Sequence, residues 1–322
     1  MKKYPLFILI LISIMNIKAQ NPYKDEYQSL YKNLYEGAVP NAKVAENKQK
    51  TELNQWNTHF TTEISVPTIA RFDPPEKLKN GTTVIICPGG GYWGTADKHE
   101  GSDVAKALNA WGVTAFVLRY RMPDTRTMLD PSVGPLQDAQ QAIRWVRKNA
   151  KAWGLKENQI GIMGYSAGGH LAATATTHFQ ANADLSRRDS DGAVLDGISV
   201  RPDFSMLIYA VVSFKPDLAH KGSSDKLLGE NPSFEKVHAF SNEEQVTPDT
   251  PPTFLVHSAD DDAVPIGASL EFYKKCVQNK VPAEMHLYPK GGHGYGMDNK
   301  TTHDKWMDRL QNWLDSLGLL KK

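Results

Sequence analysis

The sequence predicts an α/β domain built on a doubly wound, mostly parallel sheet flanked by helices, and three observations carry that prediction. From Thr61 onward short apolar runs alternate with helical patterns, as βαβ units do. Several of those runs are almost continuously apolar, which is what strands covered on both faces require. No internal repeat, low-complexity tract or long Pro/Ser linker marks a second domain.

The strand candidates are "TVIIC", "TAFVLRY", "QIGIMG", "SMLIYAVVS", "PTFLVHS" and "AEMHLY". Between them, Ser102 can cap a helix that puts Val104, Leu108 and Trp111 on one face and ends at Gly112. The last helix places Trp306, Leu310, Trp313, Leu314 and Leu317 on one stripe. Two polar segments, Ala181 to Arg201 and Lys215 to Thr250, break the alternation beside strands. Ligands bind at the carboxyl ends of such strands, so both segments are candidate rims or lids.

The N-terminus, "MKKYPLFILILISIMNIKAQ", has two lysines, an apolar run from Leu6 to Met15 and Ala19 after a short polar patch. This is the layout of a secretory signal peptide over residues 1–20, with an apolar run too short to span a bilayer and no cysteine to accept a lipid. Export, to the periplasm or beyond, and no stable membrane insertion after cleavage are expected. Residues 21–60, polar and Tyr-rich, read as an irregular lead-in, and 61–322 as the catalytic domain. Cys87 and Cys276 read as small buried hydrophobes rather than halves of a bridge.

The 322 residues, 40% of them hydrophobic, suffice for one large core. Lys and Arg number 37 against 36 Asp and Glu, so no excess positive field exists to hold nucleic acid or an anionic membrane. A neutral or locally recognised substrate fits this balance better.

The chemistry centres on Gly164-Tyr165-Ser166-Ala167-Gly168, a G-x-S-x-G set between the strand "QIGIM" and a helix. Alone the pattern is common. With a strand before and a helix after, it describes a sharp turn that projects a serine hydroxyl above the sheet. The helix N-terminus adds free backbone N–H groups and a dipole that favour a developing oxyanion. A serine needs a base to take its proton. In the α/β-hydrolase order the acid and then a histidine follow the nucleophile.

Three histidines lie late enough. His286 alternates within "AEMHLY" and reads as structural, and His303 opens the final helix and reads as solvated. His293, in the loop "KGGHGYG", has the backbone freedom to bring its imidazole to the elbow. The acid comes from "HSADDDAVP", which offers Asp260, Asp261 and Asp262, one of which fixes the histidine tautomer. Their spacing lacks the alternation of an EF-hand loop, and no metal or cofactor is called for. "TVIICPGGGYWG" supplies oxyanion donors, with the N–H groups of Gly90 and Gly91 joining that of Ala167. It lacks the lysine and spacing of a phosphate-binding loop. Tyr92 and Trp93, beside that loop, are candidates to stack on a sugar face and equally candidates for the core, where aromatics often simply pack.

Taken in order, "PGGGYWG", "HEG" at His99 to Gly101, "GYSAGGHLAA", "RPDF", "TPPTFLVHSADDDAVP" and "GGHGYG" resemble the α/β-hydrolase fold carbohydrate esterases of acetylxylan-esterase type. These bacterial proteins are often labelled xylanase-associated or related to the hormone-sensitive-lipase group. The resemblance runs from about Glu36 to the end of the chain. It implies Ser166, Asp261 and His293 as the triad, since the acid there stands three residues before a Val-Pro pair, here Val264-Pro265. It also implies Gly90, Gly91 and Ala167 as the oxyanion hole. Pro88 stands where the lipase-like relatives carry histidine, which favours the carbohydrate branch, and Ser258 stands where many hydrolases have glycine. His170, one turn into the helix after the elbow, reads as a structural hydrogen-bonder.

The function so implied is a secreted serine esterase that removes acetyl or other small acyl groups from plant polysaccharides or oligosaccharides. A peptidase of the prolyl-oligopeptidase kind shares the elbow but needs a large gating domain. A non-catalytic glycan-binding protein would not need the complete set of nucleophile, acid, base and hole.

Overall fold

The computed structural model describes residues 27–54, 58–180 and 197–321. The expected signal segment, residues 1–20, lies outside the described residues, as does most of the first polar segment, residues 181–196.

The strands are β1 (Tyr31–Asn33), β2 (Lys50–Leu53), β3 (His59–Thr62), β4 (Thr68–Phe72), β5 (Thr83–Cys87), β6 (Gly94–Thr95), β7 (Thr114–Arg119), β8 (Ile160–Tyr165), β9 (Phe204–Ile208), β10 (Thr253–Ser258) and β11 (Ala283–Tyr288). The helices are α1 (Asp103–Ala110), α2 (Gly134–Asn149), α3 (Ser166–Thr177), α4 (Lys221–Leu228), α5 (Phe234–Ala239), α6 (Ile266–Gln278) and α7 (Trp306–Ser316). The main sheet runs β1-β4-β7-β5-β8-β9-β10-β11. It is parallel from β7 to β11, and β4 and β1 close one edge antiparallel. A small antiparallel sheet, β2-β3-β6, lies apart from it.

Side-chain alternation divides the core between the two faces of the main sheet. Ile85 and Cys87 of β5 join the layer under α2, α3 and α6, with Ile143, Leu171 and Phe272. Val84 and Ile86 join the opposite layer under α1 and α7, with Val104, Leu108, Trp306, Leu310 and Trp313. Cys87 and Cys276 are buried free thiols.

Four expectations need correction. The stretch before residue 61 is not wholly irregular: it supplies β1, β2 and the start of β3. β1 pairs on one side only and is largely exposed, so it carries no apolar run to read. Ser102 stands at the start of α1 without a capping hydrogen bond, because a π-turn over Lys98–Ser102 leads into the helix. Leu317 falls past the end of α7 and stays exposed. In "SMLIYAVVS" the strand stops at Ile208, because Tyr209 turns to φ 36° and the chain leaves the sheet while remaining buried. Apolar content marks burial and does not separate a strand from a buried coil.

Candidate active site

β8 ends at Tyr165, and α3 begins on the next residue. Ser166 takes φ 51°, a conformation an L-residue holds only when its surroundings enforce it. The two elbow glycines show why. A Cβ at Gly164 would stand 2.1 Å from the Gly168 carbonyl oxygen, and one at Gly168 would stand 2.2 Å from that of Cys87. The turn thus packs backbone on backbone against the end of β5. Ser166 is 8% exposed, and its Oγ lies 2.8 Å from His293 Nε2.

His293 sits in the loop between β11 and α7, flanked by Gly292 and Gly294 at φ 60° and 76°. Its Nδ1 lies 2.7 Å from Asp261 Oδ2. The Asp261 side chain is fully covered, and its Oδ1 accepts the backbone N–H groups of Ala263 at 3.0 Å and Val264 at 2.8 Å. Burial alone would raise this carboxyl, but hydrogen bonds from His257 and His293 and the charge of His293 hold it well below the usual carboxylate range. The three adjacent aspartates part company. Asp260 accepts the Gly292 N–H at 2.8 Å and steadies the histidine loop, Asp261 meets the imidazole, and Asp262 is exposed. His286 pairs with Glu284 on β11, and His303 is exposed.

The loop after β5 lies against the elbow, since a Cβ at Gly89 would stand 2.9 Å from Ser166 Cβ. The Gly89 N–H is committed to Glu100 Oε2 at 2.8 Å. Beyond it, Trp93 and Gly94 both donate to the Gly90 carbonyl and close a tight turn around Gly90 and Gly91. Ala167 follows Ser166 in the first turn of α3, where helix N–H groups lack intrahelical acceptors. The structure therefore sets Gly89 directly against Ser166, with Gly90 and Gly91 following it in the same loop, and places Ala167 next to Ser166 at the start of α3.

Trp93 and Tyr92 separate. Trp93 is 60% exposed, with Lys226 Nζ 3.1 Å from its ring centroid. Tyr92, read as a sugar-stacking candidate, is buried: its backbone at φ 60° turns the ring inward, and its hydroxyl donates to His170 Nδ1 at 2.8 Å. A residue with no open face cannot stack on a sugar. His170 Nε2 then donates to the Phe240 carbonyl at 2.9 Å, and the ring stacks on Phe214 at 4.2 Å. Burial drives the His170 pKa down to about 3, so the imidazole is neutral and structural.

The polar segment Lys215 to Thr250 folds into α4, α5 and a 3-10 turn. His220 accepts the Ser223 N–H at 3.2 Å to cap α4. Its pKa is lowered, first by burial and then by the charge of His293. A cleft of about 410 Å³ opens between α4, α5 and the chain after β9, lined by Phe214, Pro216, Ala219 and Phe234 among others.

Sequence reasoning missed His257, whose Nε2 stands 3.1 Å from Asp261 Oδ2, as well as Glu100 and Tyr209, joined at 2.6 Å. Glu100 had a signal in "HEG" with no partner to assign it to. Among the described residues, no cluster of His, Cys, Asp or Glu could hold a metal ion, and no helix is long and apolar enough to cross a membrane.

A hydroxyl, an imidazole and a carboxylate in one hydrogen-bonded line, next to backbone donors, is an arrangement able to transfer acyl groups. Comparison with known proteins agrees. The BD-FAE family model matches residues 72–276, a span that holds Ser166 and Asp261 and stops before His293. The acetyl ester-xyloside bifunctional hydrolase from Caldicellulosiruptor lactoaceticus superposes with a TM-score of 0.74 at 35% identity, over 90% of this chain and 96% of that one. The acetylxylan esterase of Xylanibacter ruminicola is 32% identical over 251 residues, 76% of this chain and 47% of the relative. Endo-1,4-beta-xylanase B of Butyrivibrio fibrisolvens is 33% identical over 223 residues, 69% of this chain and 34% of the relative. The chain thus spans less than half the length of these two curated relatives. Matched along more than half its length by one family model and over nearly its whole length by a solved hydrolase, the chain belongs to the BD-FAE family and has the α/β-hydrolase fold.

Proposed function

We propose that the protein is a serine carboxylic ester hydrolase that removes acetyl or other small acyl groups from plant polysaccharides or their oligosaccharides, acetylated xylan foremost. The observation that carries this reading is the unbroken line Ser166 Oγ, His293 Nε2, His293 Nδ1, Asp261 Oδ2, with links of 2.8 and 2.7 Å. The names of its relatives, an acetylxylan esterase, a xylanase and an acetyl ester-xyloside hydrolase, support the substrate class.

Ser166 Oγ attacks the ester carbonyl carbon while His293 Nε2 takes its proton, and the N–H groups of Gly90, Gly91 and Ala167 hold the oxyanion. The tetrahedral intermediate collapses as His293 returns the proton to the departing sugar oxygen, leaving an acyl-serine. Water, deprotonated by His293, attacks that acyl group, and acetate leaves as Ser166 regains its proton. Asp261 stays ionised throughout and stabilises the imidazolium. Trp93 offers its indole to a sugar ring, and Lys226 offers N–H donors to sugar hydroxyls. Residues 1–20 carry the protein out of the cytoplasm.

The test is to identify the acid released from a panel of native acetylated and feruloylated polysaccharides, with prolyl peptides alongside. Acetate from xylan-type substrates is expected. Peptide cleavage without acetate release would sink the reading.

A further inference from the structure

We infer that Glu100 and Tyr209 are positioning residues that tie the loop of Gly90 and Gly91 to the loop of His293; the inference rests on the reading of Ser166, Asp261 and His293 as the catalytic set. Glu100 belongs to the π-turn before α1 and is 4% exposed. Its Oε2 accepts the Gly89 N–H at 2.8 Å, which fixes the peptide leading into Gly90. Its Oε1 accepts the Tyr209 O–H at 2.6 Å, and the Tyr209 oxygen accepts the Gly296 N–H at 3.0 Å. Gly296 lies three residues past His293, and the Tyr209 ring stands edge-on to that imidazole with centroids 5.0 Å apart. One carboxylate and one phenol therefore span from the donors of the oxyanion to the base.

Burying a carboxylate is costly unless it is well paired. The ion-pair neighbour of Glu100 among the described residues is His99, with Nε2 at 3.6 Å from Oε1, while its hydrogen-bond donors come from the two loops. Tyr209 departs from its strand at φ 36°, the turn that brings its hydroxyl within reach of both partners. The bridge touches no substrate. Its loss lets donor and base drift relative to Ser166, a displacement felt when charge develops rather than when substrate docks.

The experiment measures kcat and KM on p-nitrophenyl acetate, with melting temperatures, for Tyr209→Phe, Glu100→Gln and the double variant, beside Ser166→Ala. Each single change should lower kcat about 10- to 100-fold with KM within about threefold. The double variant should be no slower than the worse single one, because both cut the same bridge. If Tyr209→Phe does not fold, Glu100→Gln, which keeps the side-chain volume, carries the test alone. Folded variants with kcat within about twofold of wild type, or losses confined to KM, overturn the inference. Activity retained in Ser166→Ala would instead overturn the catalytic reading beneath it.

Discussion

His257 Nε2 stands 3.1 Å from Asp261 Oδ2, on the same carboxylate oxygen that faces His293. The same nitrogen lies 3.2 Å from the Val264 carbonyl, which can only accept, so Nε2 carries the proton and Nδ1 accepts from the Ser269 hydroxyl at 2.8 Å. Asp261 is thus held by two imidazoles and two backbone N–H groups, and it cannot swing away from His293.

Removing that support should separate orientation from charge. His257→Leu should lower kcat about 10-fold by loosening Asp261, while Asp261→Asn should lower it about 10,000-fold by spoiling the His293 tautomer. Steady-state kinetics on a chromogenic acetyl ester checks both, and equal losses would show that His257 does more than orient the acid.

The elbow allows little change. Gly168→Ala puts a methyl 2.2 Å from the Cys87 carbonyl oxygen and 2.4 Å from that of Pro88, both backbone atoms at the end of a central strand. The variant should lose at least about 2 kcal/mol of stability, measured by urea unfolding, and activity with it.

Trp93 should matter for glycans and not for small esters. Trp93→Ala is expected to raise KM for acetylated xylo-oligosaccharides about fivefold, consistent with about 1 kcal/mol from one aromatic contact, and to leave kcat on p-nitrophenyl acetate within about twofold. Equal effects on both substrates would assign Trp93 to the fold of the loop.

What could be read in the sequence was what is local. The strand before Gly164, the helix after Ala167 and the loop around His293 are written in neighbouring residues, and all three stand as expected. The choice among Asp260, Asp261 and Asp262 rested on resemblance, because adjacent positions differ only in direction once β10 ends. The choice between sugar face and core for Tyr92 and Trp93 stayed open for a related reason: composition around a Gly-rich turn does not say which aromatic points inward. His257, Glu100 and Tyr209 act through partners 4, 11 and 109 positions away, and no pattern within one element marks such pairings.

His170 gives the fold a defined acid sensitivity. Its folded pKa of about 3 lies below its ordinary value of 6.5, so the unfolded chain takes up a proton that the native state refuses. The stability it contributes is complete above about pH 6.5 and is lost as pH falls toward 3, by at most about 1.4 kcal/mol per pH unit. His178, lowered by the same burial, adds to the slope. His170→Gln should flatten the fall in melting temperature between pH 6 and 4, and an unchanged slope would place the acid sensitivity elsewhere.

The most direct measurement is kcat for acetate release from acetylated xylo-oligosaccharides by wild type and Ser166→Ala, with mass analysis of the wild-type protein after a serine-directed phosphonate. The expected result is a loss of about a million-fold in turnover and one adduct, on Ser166. Acetate release that survives the substitution, or an adduct on any other residue, would contradict Ser166 as the nucleophile.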